Sequence, residues 1–325
     1  MCLDWKNTKQ RPDVSELNKL EQAEILLRCG SLAGYVGSCQ QKKDAQELAQ
    51  TLLVEASKIF LLLADYEKLA ECETYSALTY WRMGQLDEAT SWINSAFQYN
   101  LDKKCEVRLH THVVDGIILF EQGKYAELVN KCKILEPLFH KSQFYILQGD
   151  FNSNYAYGLM ELGYKNEALS RFDLAKQFYT KTSHFLYLAL LENNLAVFFK
   201  SEEVYDEAHK AIKSARENFK KLGDKTREGY SIDTQAQIYM AESNYKEALK
   251  CANEAIKMLK KGENYCYLAN SMQTKSHIEF YLKDYSASME TMIASVNIAS
   301  VHISQTQAKK FIDTYVRLQK TRGFL

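Results

Sequence analysis

Seven histidines, eight cysteines and a few neighbouring carboxylates are the residues of this 325-residue chain best suited to chemistry. A metal needs ligands that converge. His110 and His112 form an H-x-H pair, but two positions apart on a helix they point about 200° away from each other and cannot share one ion. The cysteines (Cys2, Cys29, Cys39, Cys72, Cys105, Cys132, Cys251 and Cys266) include no C-x-x-C pair and no histidine at zinc-finger spacing, so they read as reduced, small core fillers. Nucleophilic catalysis needs a Ser or Cys beside a His and an orienting acid, and no nucleophile elbow accompanies any histidine. The acidic pairs Glu71/Glu73 and Glu202/Glu203 fall where helices start or hairpins turn, which suits the helix dipole and reads as solvated surface. The segment GSLAGYVG, Gly30 to Gly37, is followed by no G-K-[ST]. Its glycines read as one stripe of a first helix that lets a partner helix come close, not as a phosphate cradle. The chain therefore reads as a non-enzyme with no cofactor and no metal.

Composition narrows the partner. Hydrophobic residues make up 46% and charged residues 25%, enough to bury a core and far from the composition of disorder. With 2 prolines and 13 glycines, β-turns cannot punctuate most of the chain, so it should be largely helical. Lys plus Arg and Asp plus Glu balance at 41 each; no net field favours nucleic acid or an anionic membrane, and recognition must come from local patches. The first residues contain no apolar signal-like run and no stretch is long enough to cross a bilayer. A cytoplasmic protein is expected, with a protein or peptide partner, no nucleic acid and no membrane; the oligomeric state is left open.

The elements that would position any site come from an internal repeat. Segments of the form G/x-x-Y/L-x-E-A, with an apolar residue at +4 and a small one at +7, recur as GQLDEATSWINSA, GYKNEALSRFDLA, EVYDEAHKAIKSA and SNYKEALKCANEA, with weaker copies GKYAELVNKCKIL and KDYSASMETMIAS. The residue after the acidic position gives a series of anchors, Ala89, Leu128, Ala168, Ala208, Ala248 and Ser288, spaced by 39, 40, 40, 40 and 40; stepping back 40 gives Ala49. At −12 and −9 stand a small and a bulky residue: Ala77/Tyr80, Gly116/Leu119, Ala156/Leu159, Ala196/Phe199 and Ala236/Tyr239. A small residue lets the first helix of a hairpin approach the second, and the bulky one fills the adjoining space. Seven helical hairpins are expected. Residues Gln305 to Thr321 place Ala308, Phe311, Ile312, Tyr315, Val316 and Leu318 at helical spacing, as a capping helix should.

This pattern resembles the tetratricopeptide repeat (TPR) consensus over nearly the whole chain, in a variant whose period is 40 rather than about 34 and which lacks the usual terminal proline. The long period is similar to that of the repeats in Rap/PlcR-type peptide-pheromone receptors, MalT-type activators and Pins/LGN-type scaffolds. The resemblance implies an all-α, right-handed superhelical solenoid of about seven hairpins plus a C-terminal capping helix. Residues 1–15 would be a frayed tail, 16–301 the solenoid, and 302–325 the capping helix and tail. It further implies that first helices line a concave face that holds a peptide or partner segment, and that asparagines at −14, here Asn154 and Asn194, bind its backbone. An amide can donate and accept, so it can pair with an extended chain of any sequence; the competing role is to bridge helices within the wall. On the same face belong His110, Asp150, Tyr157, Asn193, Tyr230, Asp233, Asn270, Gln273 and His277, with Lys200 the main cation. The expected function is a peptide- or protein-binding scaffold or sensor, as in bacterial signalling. The alternatives are a Rap-like factor acting on a partner enzyme or transcription factor, and an assembly scaffold using the convex face.

Overall fold

The computed structural model describes residues 10–42 and 44–321. Among them are fifteen α-helices and no strand, in consecutive packed pairs. The hairpins are α1 (Lys19–Gln40) with α2 (Ala45–Leu62), α3 (Tyr66–Met83) with α4 (Leu86–Gln98), α5 (Glu106–Glu121) with α6 (Tyr125–His140), and α7 (Tyr145–Glu161) with α8 (Lys165–Lys181). They continue with α9 (Phe185–Ser201) and α10 (Tyr205–Leu222), α11 (Lys225–Ala241) and α12 (Tyr245–Leu259), α13 (Tyr265–Tyr281) and α14 (Tyr285–His302), and end on α15 (Gln305–Thr321). Most of the tail expected over residues 1–15 lies outside the described residues; of the part within them, Val14 is buried against Leu26, Leu53 and Leu69.

The repeat series explains the pairing. Ala49, Ala89, Leu128, Ala168, Ala208, Ala248 and Ser288 each lie in the second helix of a hairpin and are at most 1% exposed. Along α10 the buried residues are Ala208, Ile212, Ala215 and Phe219, the +4, +7 and +11 positions that bring one stripe onto the core. The small partner at −12 acts as expected: a side chain on Gly116 would meet the Asn154 amide at 2.9 Å and Leu128 at 3.4 Å. Glycines of the GSLAGYVG segment do face α2, since a Cβ on Gly30 would meet Leu53 at 3.0 Å and one on Gly37 would meet Ala45 at 2.1 Å.

A second register emerges at −5, where each first helix turns into the second. Gly84, Gly123 and Gly163 have φ of 84°, 73° and 83° there, and Asp44, Glu203, Ser243 and Lys283 have φ of 61°, 61°, 62° and 68°. All seven hairpins thus turn through a left-handed residue, which glycine adopts freely and other residues at a cost of about 1–2 kcal/mol.

The chain divides into two compact units, one built from the helices up to Leu191 and the other from Glu192 onward together with segments 38–42 and 82–85. In the first, Phe60, Leu52 and Leu53 centre one cluster, Ile93 and Ile118 another, and Phe139, Phe151 and Leu128 a third. In the second, Ile232, Ala248 and Ile278 pack together, and α15 seats Phe311 and Tyr315 against Met292 and Ala299. There Ser288, the one anchor with a hydroxyl, bonds the Ser276 carbonyl at 2.8 Å and the Tyr315 hydroxyl at 2.9 Å.

One expectation is corrected. Glu71 and Glu73 are not solvated surface. Glu71 pairs with Arg28 and, at 3.1 Å, with Lys68. Glu73 is 6% exposed and accepts a 2.9 Å bond from the Tyr99 hydroxyl, and burial holds its carboxyl above the usual carboxylate range. Arg28 and Tyr99 lie 43 and 26 positions away and leave no trace in local spacing.

Candidate functional site

In the first unit the candidate residues gather on α7. Asp150, Asn154 and Tyr157 follow one another by four and three residues, so one face of the helix carries all three, and each is half-buried. The room behind them is made by Gly149. Its missing side chain is replaced by the ring of Tyr179, which a Cβ would meet at 2.3 Å. The Tyr179 hydroxyl donates to Asp150 Oδ1 at 2.7 Å. Burial pushes the Asp150 carboxyl up to about 7, an effect the hydroxyl opposes. Asn154 donates from Nδ2 to the Val113 carbonyl of α5 at 2.9 Å, in the space left by Gly116. The donor half of this amide therefore ties two first helices together, as a wall-bridging residue does, while Oδ1 keeps its accepting capacity. Tyr157 packs on Phe120 at 5.0 Å and edge-on to Phe172 at 5.7 Å, and His110 on α5 meets the Tyr75 ring at 5.4 Å.

In the second unit the polar residues are deeper. Asp233 on α11 is fully buried; its Oδ2 accepts from Gln237 Nε2 at 3.0 Å and from Thr274 Oγ1 at 3.4 Å. Lys200 on α9 donates to Gln237 Oε1 at 2.8 Å, so the one cation expected on this face is committed to the network. Burial pushes the Asp233 carboxyl up to about 6, against the pull of Gln237, Thr274 and Lys200. Neither amide atom of Asn193, which is 1% exposed, has a hydrogen-bond partner. On α13 the half-buried His277 has an unpartnered Nε2, and desolvation lowers its ring to about 4, leaving it neutral at physiological pH. Tyr230 stacks on Tyr267 at 4.4 Å. Asn194 is buried at 6% exposure, and Asn270 and Gln273 are half-buried on α13.

Sequence reasoning did not single out Gln237, Thr274, Tyr179 or Gly149. The first two stand in the register already used: Gln237 is at −11, like Tyr157 and His277, and Thr274 is at −14, like Asn154 and Asn194. Tyr179 and Gly149 show no such signal. Among the described residues no group of three or more His, Cys, Asp or Glu could hold a metal ion, and no helix is long and apolar enough to cross a membrane.

Solved structures share this fold. A Rap protein complexed with competence and sporulation factor superposes with a TM-score of 0.69 at 14% identity, covering 91% of this chain and 80% of that one. Aspartyl phosphate phosphatase F from Bacillus subtilis gives 0.63 at 12% identity over 92% and 79% of the two chains. NprR in complex with its cognate peptide NprX gives 0.61 at 14% identity over 94% and 83%. The fold is that of tetratricopeptide-like helical hairpins. No family model and no curated protein sequence matches the chain.

Proposed function

We propose that the chain binds an extended peptide or protein segment along the face of its first helices, and that its role is binding rather than catalysis. The observation that carries this reading is the run of half-buried polar side chains on the first helices: Asp150, Asn154 and Tyr157 on α7, and Asn270, Gln273 and His277 on α13. Asn154 Oδ1 adds an acceptor suited to a backbone N–H. The likeness of fold to a Rap protein and to NprR, each solved with its factor or peptide, supports the same use of the face here.

The test is a random-peptide array followed by fluorescence anisotropy on the best binders. Asn154→Ala with Asn194→Ala should weaken binding by about 1–3 kcal/mol in total, at roughly 0.5–1.5 kcal/mol per hydrogen bond, with an unchanged helical circular-dichroism spectrum. Asn193→Leu should raise unfolding stability by about 1–2 kcal/mol, because it removes a desolvated amide. Absence of any binder, or unchanged affinity in correctly folded variants, refutes the reading.

A further inference from the structure

The second unit carries a separate charged surface where second helices hand over to the next first helix. Lys220 and Lys221 stand at +12 and +13 from Ala208, and Lys260 and Lys261 stand at +12 and +13 from Ala248. Two successive hairpins thus present a lysine pair in the same register, joined by Lys225 and Lys257. All six are exposed, and none makes an ion pair among the described residues. The helix dipole accounts for part of this, since cations suit helix C-termini. It does not account for Lys225, the first residue of α11, where the dipole disfavours a positive charge. Two of the nearby acids are committed elsewhere: Asp224 is 2% exposed and paired with Arg227, and Glu254 is 3.4 Å from Arg216.

We propose that this lysine edge docks an acidic segment of a partner protein, independently of the peptide face. Lysines are compact point charges that pair with separate carboxylates. The groups that would favour a nucleic acid are turned inward. Arg216 bonds Gln235 and Arg227 bonds Asp224, Phe219 is fully buried, and Tyr267 stacks on Tyr230, so no guanidinium or ring projects from the edge to stack on a base. A lipid surface finds only Leu222, 48% exposed, as an apolar anchor, too little for stable insertion.

The experiment measures anisotropy of a fluorescein-labelled Glu/Asp-rich peptide with the full chain, with single-stranded DNA and phosphatidylserine vesicles as parallel probes. Binding should weaken steeply as ionic strength rises from about 0.01 to about 0.15 M, which shortens the Debye length from about 30 to about 8 Å. Lys220→Glu/Lys221→Glu/Lys260→Glu/Lys261→Glu should bind about thirtyfold more weakly, the product of four exposed contacts each worth roughly two- to threefold. The corresponding quadruple Gln variant, which only neutralises the edge, should show a smaller loss and guards against misfolding in the Glu variant. Peptide binding that is absent at low salt, is unchanged in both variants, or is weaker than binding to DNA or vesicles overturns the proposal. Loss of edge binding with intact peptide-array binding separates this surface from the first-helix face.

Discussion

Gly149→Ala tests how the first unit holds Asp150. The new Cβ would lie 2.3, 2.7 and 2.9 Å from Cε1, Cδ1 and Cζ of Tyr179, against about 3.5–4.0 Å for carbon atoms in contact, so the ring must move by more than an ångström. It has nowhere to go: Tyr179 is 2% exposed, stacks on Tyr187 at 5.1 Å and bonds Asp150 at 2.7 Å. Overpacking costs about 1–3 kcal/mol, and losing the hydroxyl's bond adds about 0.5–1.5 kcal/mol. Replacing a mid-helix glycine by alanine returns only about 0.5–1 kcal/mol. The net expectation is a loss of about 2–3 kcal/mol in urea unfolding followed by circular dichroism. Gly163→Ala is the matched control, because φ is 83° and nothing lies within 4 Å of its added Cβ; it should cost about 1–2 kcal/mol from backbone strain alone. In a Tyr179→Leu background the Gly149→Ala penalty should shrink, since the clashing ring is gone. A Gly149→Ala protein no less stable than Gly163→Ala, or one whose penalty survives in that background, refutes the packing argument.

Three other variants test different links. Asp233, raised to about 6 by burial, binds a proton more tightly folded than unfolded. It therefore contributes stability at low pH that declines as pH rises from about 4 through 6 and stays lost above; Asp233→Asn keeps an acceptor for Gln237 and Thr274, so its denaturation curve should lose that pH slope and gain about 1–3 kcal/mol at pH 8. Lys283→Gly replaces a side chain held at φ 68° and should stabilise by about 0.5–1 kcal/mol; a thermal midpoint that falls would contradict the role of the −5 register. Asn154→Ala, which removes the bond its Nδ2 gives the Val113 carbonyl, should cost about 0.5–1.5 kcal/mol of unfolding stability.

The hairpins were legible because helix pairing needs small residues at recurring places. An alanine that is 0% exposed at 208 and at 248 marks a close approach of two helices, and where the anchor is the larger Leu128 the room is left by Gly116, whose added Cβ would meet it at 3.4 Å. The positive-φ turn was only partly legible: glycine marks it at 84, 123 and 163, but Asp44, Glu203, Ser243 and Lys283 hide it. The packed turn tolerates the roughly 1–2 kcal/mol of strain. The division within α9, between Leu191 and Glu192, has no counterpart in a forty-residue series that runs through it unbroken.

The site was legible in register and illegible in state. Counting back from the anchors put Asn154 and Asn193 on the first helices, but the count is blind to what each amide does there. Asn154 spends its donor on the Val113 carbonyl because Gly116, 38 positions away, leaves the space; what it can still offer a ligand is an acceptor. Asn193 has donor and acceptor both unspent at 1% exposure. Asn154 at −14 and Asn193 at −15 thus differ in energetic condition: removing the first leaves a carbonyl of the wall without one of its bonds, whereas replacing the second by an apolar residue should relieve a desolvated amide.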